Sequence, residues 1–194
     1  MTAPVNFIVH TYEEVNSQLA QGRPFFVDIA RDGIVLCELK GYPLASPKSL
    51  EPDEARAEAK RHFEQWFPDT TELIAGSKFY QERGNLNLAA FQLHQATERL
   101  YHSVLLVTAL YSPKSHKLRF LRSQAERIAP QLVGIWPNDT KFAKRAFARL
   151  DRAYVDARYS PAFEITAEEL AWLVDSIKAL QEAVAAICAE RIAS

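Results

Sequence analysis

The sequence predicts a mainly α chain: an antiparallel bundle of five to six helices with a small strand–helix–hairpin unit at its N-terminus. Three observations predict it. Apolar residues recur at three- and four-residue steps in the long segments after Asn85 and after Thr166. Helix-starting chemistry stands just ahead of these segments, as at Asn85 and in Thr166-Ala167-Glu168-Glu169. The connections between them are short, which favours antiparallel neighbours.

The N-terminal unit is taken as residues 1–43. Val5–His10 is a short apolar run with strand character. Thr11-Tyr12-Glu13-Glu14 has capping-box spacing, so a helix carrying Val15 and Leu19 should follow and end at Gly22. Phe25–Ala30 and Ile34–Glu38 are strand candidates, and the Asp32-Gly33 pair between them is a hairpin signal. Residues 44–52, with Pro47, Pro52, Ser46 and Ser49, form the linker.

Residues 53–194 make the helical domain. Glu54–Trp66 is charged and alanine-rich, and Pro68 suits the first turn of a helix running to Gly84. Asn85 caps the strongest helix of the chain, in which Leu86, Ala89, Leu93, Ala96, Leu100, Val104 and Val107 form one continuous apolar stripe. Ser115 is positioned to cap a helix over His116–Ala129. A looser stretch, Pro130–Asn138, leads to a helix from about Thr140 to Tyr159. After the second capping box, Leu170, Leu173, Ile177, Leu180, Val184 and Ile187 mark the last helix.

With 48% hydrophobic and 24% charged residues, the chain has globular rather than disordered composition. No apolar stretch nears the roughly twenty residues of a membrane span, and Met1-Thr2-Ala3-Pro4 does not open a signal peptide. Cys37 and Cys188 lack any CxxC or CxxH neighbourhood, so neither a zinc site nor a disulfide framework is expected. The expected location is cytoplasmic. The net charge of −1 hides a segregation: Lys114–Arg158 carries eleven Lys or Arg against four acids. A basic face for a phosphate-bearing partner and a solvated helical surface both fit that pattern.

Three clusters have chemistry worth weighing. His94, Glu98 and His102 are four residues apart and share a helix face. Three ligands spread over two turns of one straight helix do not converge on an ion, so a hydrogen-bonding stripe is expected and no metal. Ser112-Pro113-Lys114-Ser115-His116-Lys117 places two lysines at a helix start, where N–H groups favour anions. Lys141, Arg145, Arg149 and Arg152 make a basic stripe that ends at Arg158-Tyr159, with Tyr154 nearby for stacking. A helix packed on an acidic neighbour would look the same. Glycine-rich phosphate loops are absent.

The clusters fall in the order shown by a known family. Gly84-Asn85-Leu86-Asn87-Leu88-Ala89-Ala90-Phe91-Gln92-Leu93-His94-Gln95-Ala96-Thr97-Glu98 resembles the first long helix of HEPN domains. Ser115-His116-Lys117-Leu118 resembles the family's next helix start, and Asp156-Ala157-Arg158-Tyr159 its "(A/N)RY" helix end. The similarity spans about Glu51 to Ile192 and implies an HEPN-type bundle. Asn6–His10, Gly22–Ile29 and Asp32–Leu36 are similar to the final segment of the minimal nucleotidyltransferase often fused to HEPN. That enzyme's Gly-Ser turn and DxD pair lie upstream of the matched segment in full-length fusions. Transferase activity is therefore not expected. HEPN ribonucleases resemble one another in an Arg followed four to six residues on by a His. After Arg158 no His is present: the corresponding positions read Phe163, Glu164 and Ile165.

The resemblance thus implies a non-catalytic, cofactor-free module that binds nucleotide or RNA phosphate groups and dimerises, in a toxin–antitoxin-like system with a nucleotidyltransferase. The binding residues expected are His94, Glu98, His116, Lys114, Arg158 and Tyr159, with Glu98 holding Arg158. A degenerate ribonuclease using His116 or His94, and a purely structural partner of a separate nucleotidyltransferase, are the alternatives. Phe91, Tyr101 and Tyr111 are the aromatic residues expected at a dimer contact.

Overall fold

The structure, a computed structural model, describes residues 7–194. Eight α-helices and one short 3₁₀ turn follow one another, with no strand among the described residues. They are α1 (Tyr12–Ala20), α2 (Pro24–Asp32), α3 (Pro52–Trp66), α4 (Asp69–Glu82), α5 (Leu86–Ala109), α6 (Leu118–Ile128), α7 (Lys141–Tyr159) and α8 (Ala167–Ala193); the 3₁₀ turn is Pro130–Leu132.

The N-terminal unit departs from expectation. The anticipated strand–helix–hairpin is absent, and the helices outnumber the five to six expected. Phe25–Ala30 is helical because Pro24 fits the first helical position, and because Phe25–Ile29 and Phe26–Ala30 share a face at four-residue spacing. Arg31 reaches back to Asp28 at 2.8 Å, an i,i+3 pair that a helix brings together. Asp32-Gly33 ends that helix rather than turning a hairpin: the Gly33 N–H bonds to Ile29 O at 2.8 Å, and Gly33 has φ −73°. Ile34–Glu38, left without a second strand to satisfy its backbone, has neither helix nor strand. Of the strand expected at Val5–His10, residues 5 and 6 lie outside the described part, and 7–10 are irregular.

Helix α1 does start at the Thr11 cap, whose hydroxyl accepts from the Glu14 N–H at 3.1 Å. Gly22 then turns the chain into α2 with φ +70°, and a Cβ there would meet the Leu50 nitrogen at 2.7 Å. Leu19 and Phe26 are buried between the pair and its surroundings. Lys48 N–H bonds to Leu19 O, and Arg23 pairs with Glu58 of α3.

Helix α5 is the axis of the bundle, touched by α3, α4, α6, α7 and α8. Apolar on most sides, it is buried along nearly its whole length; Ala89, Ala90 and Ala96 let neighbours approach closely, while Leu93, Leu100, Val104 and Val107 fill the core. Each fully buried leucine adds about 1.5–3 kcal/mol of transfer free energy. In the core, buried Trp136 Nε1 donates to the buried Tyr101 hydroxyl at 2.8 Å. The capping box of α8 forms as its spacing predicts, and its Glu169, fully buried, also takes Arg145 Nε at 2.6 Å and Arg149 Nη1 at 2.5 Å. Burial works to raise that carboxyl, but Arg145, the Thr166 backbone and Arg149 outweigh it and hold it below the usual range. No helix among the described residues is long and apolar enough to cross a membrane.

Candidate functional site

The polar stripe of α5 faces the loop between α5 and α6. Leu110, in the left-handed region at φ +49°, breaks α5 and throws the chain into Tyr111–Lys117. That conformation costs a non-glycine residue about 1 kcal/mol or more, and Leu110 holds it with its side chain buried.

His94 is fully buried, and its Nε2 lies 3.0 Å from His116 O. A carbonyl only accepts, so Nε2 carries the proton and Nδ1 is left to accept from Gln95 Nε2 at 3.3 Å. Burial pushes the His94 pKa down to about 4, keeping the ring neutral near pH 7. One turn on, Glu98 Oε1 accepts from His116 Nδ1 at 2.9 Å, and Oε2 accepts from Gln95 Nε2 at 3.2 Å. Burial raises the Glu98 carboxyl despite the His116 bond, which pulls the other way. One further turn on, His102 Nδ1 meets Ser112 Oγ at 2.5 Å; burial lowers this imidazole to about 4 as well. Three successive turns of α5 thus grip Ser112 and His116, the two ends of the loop's polar run. No group of three His, Cys, Asp or Glu among the described residues is arranged to hold a metal ion.

The His116 ring, half exposed, stacks on Tyr154 of α7 with centroids 4.1 Å apart and planes 10° from parallel. Arg158, one turn after Tyr154 and exposed, donates from Nε to Tyr154 O at 2.7 Å. Its guanidinium carbon lies 4.6 Å from the Tyr154 centroid, 4.7 Å from Phe91 and 5.0 Å from Tyr159. Glu98 does not hold Arg158: the carboxylate is taken by His116, and Arg158 has no carboxylate partner among the described residues. Its two terminal nitrogens have no hydrogen-bond acceptor there either.

His94, Glu98 and His116 therefore form one bonded cluster, and Arg158 with Tyr159 joins it through Tyr154. Lys114 does not. It lines the opposite flank of the loop with His10, Glu14 and Tyr111, beside a cavity of about 530 Å³. Most of the basic stripe on α7 has internal partners: Arg145 and Arg149 neutralise Glu169, and Arg152 lies 3.8 Å from Asp156. Gln95 and Phe91 are neighbours of the cluster that the sequence reading did not place there, Phe91 having been expected at a dimer contact. Phe91 sits three residues before His94, on the same face, and that spacing was the available signal. Tyr101 is not available for a dimer contact, being buried against Trp136, and Phe91 is half-buried beneath Arg158.

The bundle and its histidine–carboxylate clasp define an all-helical module organised about one long buried helix. Residues 63–187 match the HEPN domain family, and the chain belongs to it. No curated protein matches the chain.

Proposed function

We propose that this HEPN module binds nucleotide or RNA phosphate groups, without catalysis, on the face formed by His116, Tyr154, Arg158 and Tyr159. The observation that carries the reading is the unpaired Arg158 guanidinium, laid over three aromatic rings beside a half-exposed imidazole. A fork of N–H donors above rings suits a phosphate with a base stacked next to it. Glu98 and His94 serve by fixing His116 and its carbonyl. In this reading Lys114 belongs to a second flank of the loop, where a longer RNA would pass.

The proposal includes a homodimer in the cytoplasm and a separate nucleotidyltransferase as partner, with residues 1–43, 44–52 and 53–194 as N-terminal unit, linker and HEPN domain. The support for the transferase partner is the resemblance of residues 6–36 to a segment of that enzyme class. The test is thermal stabilisation by adenosine monophosphate and by a short single-stranded oligoribonucleotide. A ligand at a hundred times its Kd stabilises by about 2.7 kcal/mol. Arg158→Ala should abolish the shift; an unchanged shift in that variant would sink the reading.

One observation favours a second reading, a degenerate ribonuclease. His116 is oriented by Glu98 at 2.9 Å and is the one exposed histidine of the cluster, as a general base needs to be. Metal-free RNA cleavage that is lost in His116→Ala would replace the first reading with this one.

A further inference from the structure

The loop that carries His116 is held from two sides. From the bundle, α5 grips Ser112 and His116. From the N-terminal unit, α2 and the segment before α1 grip Tyr111. The Tyr111 ring stacks on Phe25 with centroids 3.8 Å apart and planes 8° from parallel, and meets Phe26 edge-on at 5.5 Å. Its hydroxyl lies 3.0 Å from His10 Nε2, while His10 Nδ1 lies 3.1 Å from Glu14. The Glu14 carboxylate, held below its usual range chiefly by its bond with His10, only accepts. In the neutral ring Nδ1 therefore donates to Glu14, and Nε2 accepts from the Tyr111 O–H.

We propose that Tyr111 is a positioning residue for the His116 site, through which the N-terminal helical pair sets how well that site binds an anion. It is a strong lever because it is close and the path is stiff. Between Tyr111 and His116 stand four residues: Ser112, bonded to His102; Pro113, buried and restricted in φ; the exposed Lys114; and Ser115, whose hydroxyl accepts from the Lys117 N–H. Leu110 just before them is held in a left-handed conformation, so the loop starts from a strained residue rather than a relaxed one. A displacement of the Tyr111 ring cannot be absorbed at Leu110 or Pro113 and passes to Ser112 and His116. Any partner that shifts α2 therefore changes the geometry of His116 without touching it. Tyr111 acts through His116 and does not itself contact the ligand. The inference about affinity rests on the proposed anion site; the mechanical coupling does not.

The decisive variant is Phe25→Ala, which removes the stacking partner and leaves the whole loop sequence intact. The imidazole resonances of ring-labelled protein report on His116 without ligand, with His116→Ala supplying the assignment. Phe25→Ala should move the His116 resonance and weaken adenosine monophosphate binding on the order of tenfold, within the usual range of coupling between sites. Tyr111→Phe keeps the stack and loses only the bond to His10, and should move the same resonance less, in the same direction. If the resonance moves but adenosine monophosphate binds neither protein, the coupling stands and the nucleotide reading falls. If Phe25→Ala lowers the melting temperature while resonance and affinity stay fixed, Tyr111 is only glue and the proposal is overturned. Should Phe25→Ala fail to fold, Tyr111→Phe decides by the same criterion.

Discussion

Residues 52–194 and residues 7–50 are both built from helices, yet they treat apolar surface in opposite ways. The bundle closes over its own: α5 is enclosed by five other helices, and its large side chains are almost all out of water. The N-terminal part does not. Eleven of the sixteen large apolar side chains that stand exposed among the described residues fall between Phe7 and Leu44, with Ile34, Val35 and Leu36 at 87%, 73% and 93%. Two nine-residue helices have too little surface to bury such a load, and what order they have comes from a few anchors on the bundle. The difference teaches where stability and adaptability reside. The bundle supplies the enclosed frame of the histidine clasp, and the N-terminal pair is the part that the proposed coupling makes a lever.

The largest effect should come from the bundle axis. Leu100→Ala removes a fully buried side chain of α5 and should cost about 2–5 kcal/mol in chemical denaturation. A loss below about 1 kcal/mol would mean that α5 is less tightly enclosed than its burial indicates.

Acid should attack the same helix next. His94 and His102 have pKa values pressed to about 4 in the fold, against an ordinary imidazole value near 6.5. The unfolded chain therefore binds more protons through that interval. Their contribution is whole above about pH 6.5 and shrinks as the pH falls toward 4, by on the order of 3 kcal/mol for the pair at pH 5. Glu98, with its carboxyl raised by burial, works in the opposite sense and offsets part of the loss. Melting temperature measured between pH 7 and pH 5 should fall, and His102→Gln should flatten the slope. A flat wild-type profile would show that the clasp opens to solvent.

Gly22→Ala probes the other region. The new Cβ would press on the backbone at Lys48 and Leu50, at a residue with φ +70°. A loss of about 1–2 kcal/mol is expected, confined to the N-terminal pair. Amide exchange should quicken in α1 and α2 while α5 stays protected; equal loss in both regions would show that the two are one cooperative unit.

The smallest effect belongs to Leu36→Ser. At so exposed a position the change in stability should stay within about 0.5 kcal/mol, with less binding of an apolar dye. A larger loss would mean that Leu36 has a partner within the chain.

Three helix starts after residue 50 were legible because they rest on local chemistry, whereas the cap expected at Ser115 did not form: α6 starts at Leu118 behind Lys117 with no side-chain cap. Asn85 accepts from the Leu88 N–H, Thr140 from Ala143, and Thr166 pairs with Glu169, as the spacing of each predicts. The N-terminal hairpin was misread for a reason equally local. Phe25–Ala30 is apolar enough for either period, and an Asp-Gly pair ends a helix as readily as it turns a hairpin. At the candidate site the order of His94, Glu98, His116 and Arg158 along the chain was visible, but their partners were not. From sequence Glu98 was expected to hold Arg158, and it bonds to His116 instead.

By itself, then, the sequence determined the helical character of residues 52–194, the main caps, the buried stripe of α5 and the family to which the chain belongs. Those features depend on neighbours three or four residues away, which the order of residues states directly. Tertiary structure decided which charges meet. The arginines at 145 and 149 on α7 were drawn to Glu169 in the first turn of α8, while Arg158 was left without a carboxylate partner among the described residues. It also decided that Tyr111 would face Phe25 across 86 positions of chain, because only packing of α2 on the loop brings the two rings together.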